Sequence, residues 1–215
     1  MGFRSVVSKV APELVRSKFR VRKLQRDWVA QGWGVPATPD VKFAVLKRHS
    51  RNMSTWVETG TWEGVTTAKL AKIAFHVHSI EPQPEFARRA TERFRDVSNI
   101  SIHEGSSEDC FEPIVSGLTG DVAFWLDGHF SDGGTYKGEL DTPIVEELRV
   151  IASHEELMSS VAVFVDDFRC FDPSKEVFKD YPAREFLVEW AVSLGLEWTV
   201  EHDIFVAKSR QVSTS

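Results

Sequence analysis

The segment from Thr55 to Leu70, TWVETGTWEGVTTAKL, constrains the fold of this chain more than any other segment does. Its first three residues are strand formers, Glu58 ends that short run, and Gly60 and Gly64 bracket a turn. The residues after Gly64 favour a helix. A strand, a glycine-containing turn and a helix in direct succession indicate an α/β protein. The turn is a site for the polar end of a nucleotide-like ligand.

The glycine spacing of this turn separates two kinds of nucleotide site. The pattern Glu58-x-Gly60-x-x-x-Gly64 differs from the Gly-x-Gly-x-x-Gly pattern of dinucleotide-binding turns, which counts against a nicotinamide-dependent oxidoreductase. A carboxylate at the end of the strand instead suits a cationic ligand, such as one that carries an ammonium and a sulfonium group. The alternative at this stage is a glycine-containing turn that binds no ligand.

Length and charge limit the class of protein. The 215 residues are enough for one α/β domain with a sizeable core. The net charge is −6 although segment 1–26 is strongly basic, so the rest of the chain is more acidic still. This acidity argues against nucleic acid as the main partner. No apolar run approaches the ~20 residues of a membrane span. The two cysteines form no disulfide framework, which predicts a cytoplasmic protein.

The basic segment Phe3–Arg26 has the pattern of a helix with its apolar residues roughly on one side. Three roles for it stay open. It could contact a membrane surface or an anionic acceptor, it could be an organelle address, or it could dock as a solvated helix on its own domain or on a second subunit. A homo-oligomer is therefore one of the predicted states, and stable membrane insertion is not expected.

Beyond the first turn, strands and helices alternate along the chain. Strands are predicted at 55–57, 76–80, 99–103, 121–126 and 161–165, helices at 84–94, 108–116, 142–157 and 182–194, and a hairpin at 196–207. This alternation predicts an α/β fold with a Rossmann-like, doubly wound sheet that is mostly parallel and carries a C-terminal antiparallel hairpin strand. The predicted organisation is a helical N-terminal extension at 1–54, one domain at 55–208 and a tail at 209–215.

Acidic residues follow the predicted strands with a regularity that indicates a single site. Four of the five parallel strands end in a carboxylate, and the remaining one is followed by Glu104-Gly105-Ser106. In a doubly wound sheet the carboxyl ends of the strands open on one rim, where ligands bind. The acids at the strand ends are Glu58, Glu81, Asp127 and the pair Asp166 and Asp167.

Taken together, these motifs resemble the class I S-adenosylmethionine-dependent methyltransferases over residues 55–208. The segment ETGTWEG at 58–64 resembles the first motif of that family, which holds the methionine part of the cofactor. Glu81 resembles the family's acid at the end of the second strand. The segment EGSS at 104–107 resembles, less specifically, the loop that lines the adenine.

A narrower resemblance is carried by the second half of the chain. The segments FWLDGHFS at 124–131, KG at 137–138, DTPI at 141–144 and VDD at 165–167 resemble a little-characterised bacterial group with the same Trp-Leu-Asp-Gly-His loop. The acids after the fourth and fifth strands are also similar to those of metal-dependent sugar O-methyltransferases. The resemblance thus implies a methyltransferase that acts on a hydroxyl group.

The resemblance implies S-adenosylmethionine as the cofactor. Glu81 would bind both ribose hydroxyls, because a carboxylate can accept a hydrogen bond from each; the alternative is a solvent-facing acid. Glu58 would lie near the amino group of the cofactor or would order the turn. The implied cofactor-binding residues are Glu58, Gly60, Thr61, Gly64, Glu81, Gly105, Ser106 and Asp127.

The acids after the fourth and fifth strands are the candidate metal ligands. Asp127, Asp166 and Asp167 should meet, because neighbouring strands lie about 4.8 Å apart. Carboxylates at adjacent strand tips can share a hard cation such as Mg²⁺, which would lower the pKa of an acceptor oxygen. The alternative is that one aspartate caps a loop and another orients the cofactor without a metal.

The segment Gly128–Asp141 is the candidate wall of the acceptor site. It is glycine-rich and polar, and loops of this length between a strand and a helix are often functional. His129 follows Asp127 closely enough to face the same pocket and is the candidate general base. His129 and Asp127 are therefore the predicted catalytic residues. A structural role for the histidine is the alternative.

The predicted function is methyl transfer from S-adenosylmethionine to an oxygen of a small hydroxylated molecule, such as a sugar or a natural product. Whether a metal assists the transfer stays open at this stage. Two alternatives remain. One is a protein that binds the cofactor without transferring the methyl group. The other is an N-methyltransferase, because an amine acceptor has less need of a metal.

Overall fold

The computed structural model describes residues 23, 25–30, 32, 34–127 and 142–210. The predicted basic helix Phe3–Arg26 lies almost wholly outside these ranges. The loop that contains His129 and the tail beyond residue 210 also lie outside them. The predictions made for these segments are therefore not tested by the structure.

Six α-helices and seven β-strands are found between residues 34 and 210, within the described ranges. The helices are α1 (Pro39–His49), α2 (Val65–Leu70), α3 (Pro84–Phe94), α4 (Ser107–Val115), α5 (Ile144–His154) and α6 (Arg184–Ser193). The strands are β1 (Thr55–Thr59), β2 (His76–Glu81), β3 (Ile100–Glu104), β4 (Gly120–Leu126), β5 (Met158–Val165), β6 (Glu197–Glu201) and β7 (Ile204–Lys208).

The seven strands form one sheet in the order β3-β2-β1-β4-β5-β7-β6. Strands β1 to β5 are parallel, and β7 pairs antiparallel with both β5 and β6. The chain winds one way from β1 to β3 and the other way from β4 to β5. The carboxyl ends of β1 and β4 therefore flank the crevice where ligands bind in such sheets. The predicted fold class is confirmed.

Several observed bounds differ from the predicted ones by a few residues, among them those of β1, α5 and β5. β1 continues through Glu58 to Thr59, because both side chains are buried and do not end the strand at solvent. The helix predicted at 142–157 ends at His154, and a 3₁₀ turn follows. β5 begins at Met158, three residues earlier than predicted, because its first residues still pair with β4.

The sheet has a hydrophobic core on each face. Along the central strands alternate residues point to opposite sides. Val57 and Phe124 pack with α4, α5 and α6, whereas Trp56, Trp125 and Phe164 pack with α1 and α2. The rings of Trp56 and Phe164 stack with their centroids 5.6 Å apart. Both faces are thus covered, as the near-continuous apolar strands require.

Helix α1 is part of this core although it precedes the first strand. Thr38 and Pro39 begin the helix, and Val45 and Leu46 are fully buried against the sheet. Lys42 lies one turn before these two residues on the same side of the helix, because positions three and four apart share a face. The docking of α1 therefore carries Lys42 toward the sheet.

Within the described ranges, no helix is both long and apolar enough to cross a membrane.

Candidate functional site

The turn after β1 is held against the end of β2 by its backbone. The N–H groups of Gly60 and Thr61 both donate to the carbonyl oxygen of Ile80, at 3.0 and 3.2 Å. Gly64 has a φ of 66°, and a Cβ atom there would lie 2.7 Å from the ring of Phe94. Both the conformation and the close approach of the ring require glycine at this position.

Glu58 lies beneath this turn in a buried polar cluster. Its Oε2 accepts hydrogen bonds from the hydroxyls of Thr67 at 2.5 Å and Ser79 at 2.6 Å, and Ser79 in turn contacts the hydroxyl of Thr61 at 2.6 Å. Burial raises the pKa of Glu58 to about 7, although the two hydroxyl donors lower it. These contacts connect β1, the turn, α2 and β2, as expected of an acid that orders the turn.

The second carboxylate oxygen of Glu58 makes no such contact. Oε1 of Glu58 is buried and has no hydrogen-bond partner among the described residues. A buried carboxylate oxygen without a partner is costly, so this atom is an available acceptor. Of the two roles predicted for Glu58, the observed contacts support the ordering of the turn. The free Oε1 is compatible with an interaction with a cationic ligand.

Glu81 connects the ends of β1 and β2. Its Oε2 accepts a hydrogen bond from the backbone N–H of Trp62 at 2.7 Å, and its Oε1 accepts one from Gln83 at 2.9 Å. Glu81 is only 4% exposed, so it is not the solvent-facing acid that was the alternative. Each carboxylate oxygen retains a further lone pair, which leaves acceptor capacity for a diol.

The segment after β3 lies next to Glu81. The N–H of Gly105 donates to the carbonyl oxygen of Glu81 at 3.0 Å. Ser106 caps helix α4, since its side chain accepts a hydrogen bond from the N–H of Asp109 at 3.2 Å. A Cβ atom on Gly105 would lie 2.6 Å from Sγ of Cys110. The predicted adenine loop is therefore on the same edge of the sheet as the first turn.

The strand-end aspartates are brought together by the sheet. The N–H of Asp127 donates to the carbonyl oxygen of Thr59 at 3.2 Å, and the N–H of Asp166 donates to that of Leu126 at 3.1 Å. Asp166 is 4% exposed. The prediction that strands four and five are neighbours is confirmed, and the acids that follow them face one rim.

A lysine that the sequence did not single out also lies at this rim. Nζ of Lys42 forms an ion pair with Oδ2 of Asp166 and lies 3.5 Å from Oδ1 of Asp167. Burial lowers the pKa of Lys42, but the charges of Asp166, Asp127 and Asp167 outweigh it and raise that pKa above its ordinary value. Lys42 is therefore a permanent cation at neutral pH.

Burial has the opposite effect on the partner of this lysine. Burial and the neighbouring charge of Asp127 raise the pKa of Asp166, whereas Lys42 lowers it. The net effect raises the pKa of Asp166 to about 8, and the ammonium of Lys42 is the described contact that favours its ionised form. Asp167 has a left-handed backbone conformation with a φ of 53°, and its N–H donates to Oδ1 of Asp166 at 2.8 Å.

Asp167 is tied to the C-terminal hairpin through Arg169. The guanidinium of Arg169 contacts Oδ1 of Asp167 at 2.6 Å and also pairs with Asp203 in the turn between β6 and β7. The backbone N–H of Arg169 donates to Oδ1 of Asp203 at 2.8 Å. Arg169 and Asp203 thereby fix the segment that follows β5.

A small pocket opens beside these acids. Its lining includes the carboxyl groups of Asp127, Glu147 and Asp166. The aromatic rings of Phe171 and Tyr181 also line it. Glu147 comes from α5 and is 2% exposed. It accepts a hydrogen bond from the hydroxyl of Ser107, and burial raises its pKa to about 7. An acidic pocket with an aromatic side therefore lies next to the predicted cofactor edge.

The predicted metal site was tested against these contacts. Among the residues that the structure describes, no group of three or more His, Cys, Asp or Glu side chains is arranged to hold a metal ion. Asp166 and Asp167 are instead paired with Lys42 and Arg169. Asp127 and Asp166 line one pocket, and the described partners of Asp166 and Asp167 are cationic side chains, so this donor set does not fit a divalent cation.

The predicted cofactor fits better than the metal does. The glycine turn, Glu81 and the segment after β3 lie on one edge of the sheet, as the resemblance implied. Glu81 has acceptor capacity for hydroxyls, and Oε1 of Glu58 is unpartnered among the described residues. Thr61 is 4% exposed and points its hydroxyl at Ser79, so its side chain supports the turn.

The chain was compared with known proteins. No protein-family model matches it, and no curated protein matches it. Solved structures do match. One is a Staphylococcus aureus protein assigned as a caffeoyl-CoA O-methyltransferase, with a TM-score of 0.58 and 15% identity over 95% of this chain and 99% of that one.

Two further structures have similar folds. A Streptococcus mutans protein assigned as a methyltransferase, solved in complex with SAH, gives a TM-score of 0.50 at 10% identity, over 81% of this chain and 98% of that one. A Clostridium thermocellum protein assigned as an rRNA methylase gives a TM-score of 0.51 at 13% identity, over 78% of this chain and 93% of that one. These likenesses show that the chain has the fold of the S-adenosylmethionine-dependent methyltransferases.

Three residues of this edge were missed by the sequence analysis. Lys42 lies 124 positions from Asp166, Glu147 lies in an ordinary amphipathic helix, and Arg169 had no assigned role. A periodicity argument could have found Glu147, since it lies on the buried face of α5 with Leu148 and Ile151. Nothing local indicates the pairing of Lys42.

Proposed function

We propose that this chain is an S-adenosylmethionine-dependent methyltransferase that methylates an oxygen of a small hydroxylated molecule, such as a sugar or a natural product. The observation that carries the proposal is the arrangement at the carboxyl edge of the sheet. The glycine turn and Glu81 lie on one side of the β1–β4 crevice, and the small acid-lined pocket lies on the other. Cofactor and acceptor would therefore meet at the crevice.

The cofactor supplies an activated methyl group on a sulfonium sulfur. The residues of this chain would position the two substrates for an in-line displacement, which is where most of the acceleration arises. Glu81 would hold the ribose hydroxyls, and Gly60 and Gly64 would let the backbone approach the methionine part. Gly105 and Ser106 would border the adenine.

The acceptor side of the proposal rests on Asp127 and His129. Asp127 begins the segment after β4 and lines the cavity. His129 is proposed as the general base that takes the proton of the acceptor hydroxyl, because an imidazole exchanges protons near neutral pH. A small-molecule acceptor in a cytoplasmic setting, with no nucleic acid, stays a prediction, and so does a homo-oligomeric state.

The sequence also predicted metal assistance at this rim, and the contacts of Asp166 and Asp167 with cationic side chains argue against it. It was based on Asp127, Asp166 and Asp167, and Mg²⁺ was the expected ion. The ammonium of Lys42 is its competitor for the same carboxylates. No step of the proposed transfer needs a metal if the base is His129.

One observation favours a second candidate, an N-methyltransferase. Asp127, Glu147 and Asp166 line one cavity, and three carboxyl groups suit an acceptor that carries an ammonium group. Incubation with methyl-labelled cofactor and a fractionated metabolite extract, followed by mass spectrometry of the labelled product, distinguishes the two. A methyl ether supports the O-methyltransferase, and a methylamine supports the alternative. Tight cofactor binding with no labelled product from any fraction would indicate a binding protein without transfer activity.

A further inference from the structure

The acid cluster at the ends of β4 and β5 contains a cation supplied by the chain itself. Nζ of Lys42 contacts Asp166 and lies 3.5 Å from Oδ1 of Asp167. The side chain of Lys42 is 18% exposed and that of Asp166 is 1% exposed, so the pair is largely shielded from water. Shielded ion pairs are much less weakened by salt than surface pairs are.

The position of this lysine is fixed by packing. Val45 and Leu46, one turn further along α1, are fully buried in the core between α1, α2 and the sheet. The beginning of α1 is tied to α2 by the ion pair of Asp40 with Lys69 at 2.6 Å. Lys42 therefore reaches Asp166 from a docked helix, which distinguishes it from a lysine that samples many partners on a flexible surface.

The charges around the cluster explain why a cation is needed there. Asp127, Asp166 and Asp167 contribute three carboxyl groups on one rim, and burial makes each unbalanced negative charge expensive. Arg169 contacts Asp167, but it is shared with Asp203. Asp166 thus depends on Lys42 for a directly bound positive charge among the described residues.

We propose that the ammonium of Lys42 is the built-in cation of this rim and takes the place of a divalent metal between Asp166 and Asp167. A metal in such a site holds the carboxylates together and presents positive charge to an acceptor oxygen. Lys42 holds the carboxylates together through its contacts with Asp166 and Asp167. An ammonium has three N–H donors, so the third is available for the acceptor. The contact with the acceptor rests on the proposed methyl transfer, whereas the exclusion of a metal from the rim does not.

The proposal predicts what happens when the ammonium is removed without loss of side-chain length. Lys42→Met removes the ammonium that contacts Asp166 and Asp167, so the variant should gain one Mn²⁺ site per chain by electron paramagnetic resonance titration. The wild-type protein should show none. Lys42→Arg keeps the charge and should also show none. The control is Lys47→Met, because Lys47 is an exposed lysine of the same helix, and this variant should gain no site.

Each result of this titration decides the matter. A stoichiometric Mn²⁺ site in the wild-type protein that Asp166→Asn abolishes would show that metal displaces Lys42, and it would overturn the proposal. Failure of both Lys42→Met and Lys42→Gln to bind Mn²⁺, with native circular dichroism, would also overturn it. If Lys42→Met does not fold, Lys42→Gln and the wild-type titration still decide. These measurements need no acceptor, so they stand even if methyl transfer is disproved.

Once an acceptor is identified, turnover gives a second test. Wild-type activity should be unchanged in excess chelator, whereas Lys42→Met should lose about 10²-fold in kcat, the usual effect of removing one stabilising donor. Partial recovery of Lys42→Met by added Mn²⁺, absent in the wild type, would support the exchange of one cation for the other. Loss of wild-type activity in chelator would contradict the proposal.

Discussion

The backbone N–H of Trp62 donates a 2.7 Å hydrogen bond to the carboxylate of Glu81, so the glycine turn after β1 is attached to the acid at the end of β2. Two motifs that are 19 residues apart in the chain thereby form one edge of the candidate cofactor site. The contact uses one lone pair of Oε2 and leaves the carboxylate with capacity for further donors.

The first prediction follows from this shared carboxylate. Glu81→Ala should weaken binding of S-adenosylhomocysteine by about 1.5–3 kcal/mol, the usual worth of hydrogen bonds to a charged group. Isothermal titration calorimetry on the folded variant measures this. Glu92→Ala is the control, because Glu92 is an exposed acid that pairs with Arg95 on the far end of α3. Equal affinities for the wild type and Glu81→Ala would remove Glu81 from the site.

The second prediction concerns His129 as the general base. A sugar-like hydroxyl holds its proton at neutral pH, so it needs a base during the transfer. His129→Ala should lower kcat by roughly 10²–10⁴-fold with little change in cofactor affinity. The rate of the wild type should rise with pH as the imidazole loses its proton, and the variant should lack that rise. His154→Ala is the control, because His154 lies at the far end of α5 from Ile144, which lines the pocket. Normal turnover by His129→Ala would make His129 a structural residue.

The third prediction concerns the buried carboxyl of Glu147. Its pKa is raised to about 7 in the folded protein from an ordinary value of 4.5. Between these two values the native state holds a proton that the unfolded chain has released. The stabilisation from this protonation is complete below pH 4.5 and is lost as the pH rises through 7.

Urea unfolding of the wild type and of Glu147→Gln at pH 5 and pH 8 measures this effect. The free energy of unfolding of the wild type should fall by about 2–3 kcal/mol more than that of the variant. Glu112→Gln, on the exposed side of α4, should follow the wild type. Parallel pH curves for the wild type and Glu147→Gln would contradict the raised pKa.

The fourth prediction separates two reasons for glycine at position 64. Gly64 and Gly195 have nearly equal φ angles of 66° and 67°, but a Cβ atom meets Phe94 only at Gly64. Gly195→Ala should therefore cost about 1–2 kcal/mol, from backbone strain alone. Gly64→Ala should cost about 1–3 kcal/mol more, because the ring of Phe94 must move. Chemical denaturation measures both, and equal losses would show that the close contact is unimportant.

The order of the helices and strands could be predicted from the sequence for a physical reason. Parallel strands buried on both faces are short apolar runs, and the helices between them carry apolar residues at a spacing of three and four. The observed α3, at Pro84–Phe94, coincides with the predicted helix because proline begins it and the apolar residues Ala87, Ala90 and Phe94 recur on one side. Strand ends were less accessible, since Glu58 is polar but buried.

The cofactor edge of the site could also be predicted from the sequence. Glu81 and Asp127 lie at strand ends, and topology alone brings strand ends to one rim. Lys42 could not be predicted, because its position depends on how α1 docks against β7 and α2, and that docking is a long-range packing event. Glu147 reads as a solvent charge until the buried face of α5 is known.

The ion pair between Lys42 and Asp166 joins residues 124 positions apart, so it can form only late in folding. A polypeptide emerging from the ribosome presents α1 and the strands β1 to β3 well before Asp166 has been synthesised. During that interval the lysine side chain must remain in water, and helix α1 lacks the contacts that β7 provides. Because pairings between distant parts of a chain form slowly, we expect the rim to be assembled last, after the closing hairpin has been added.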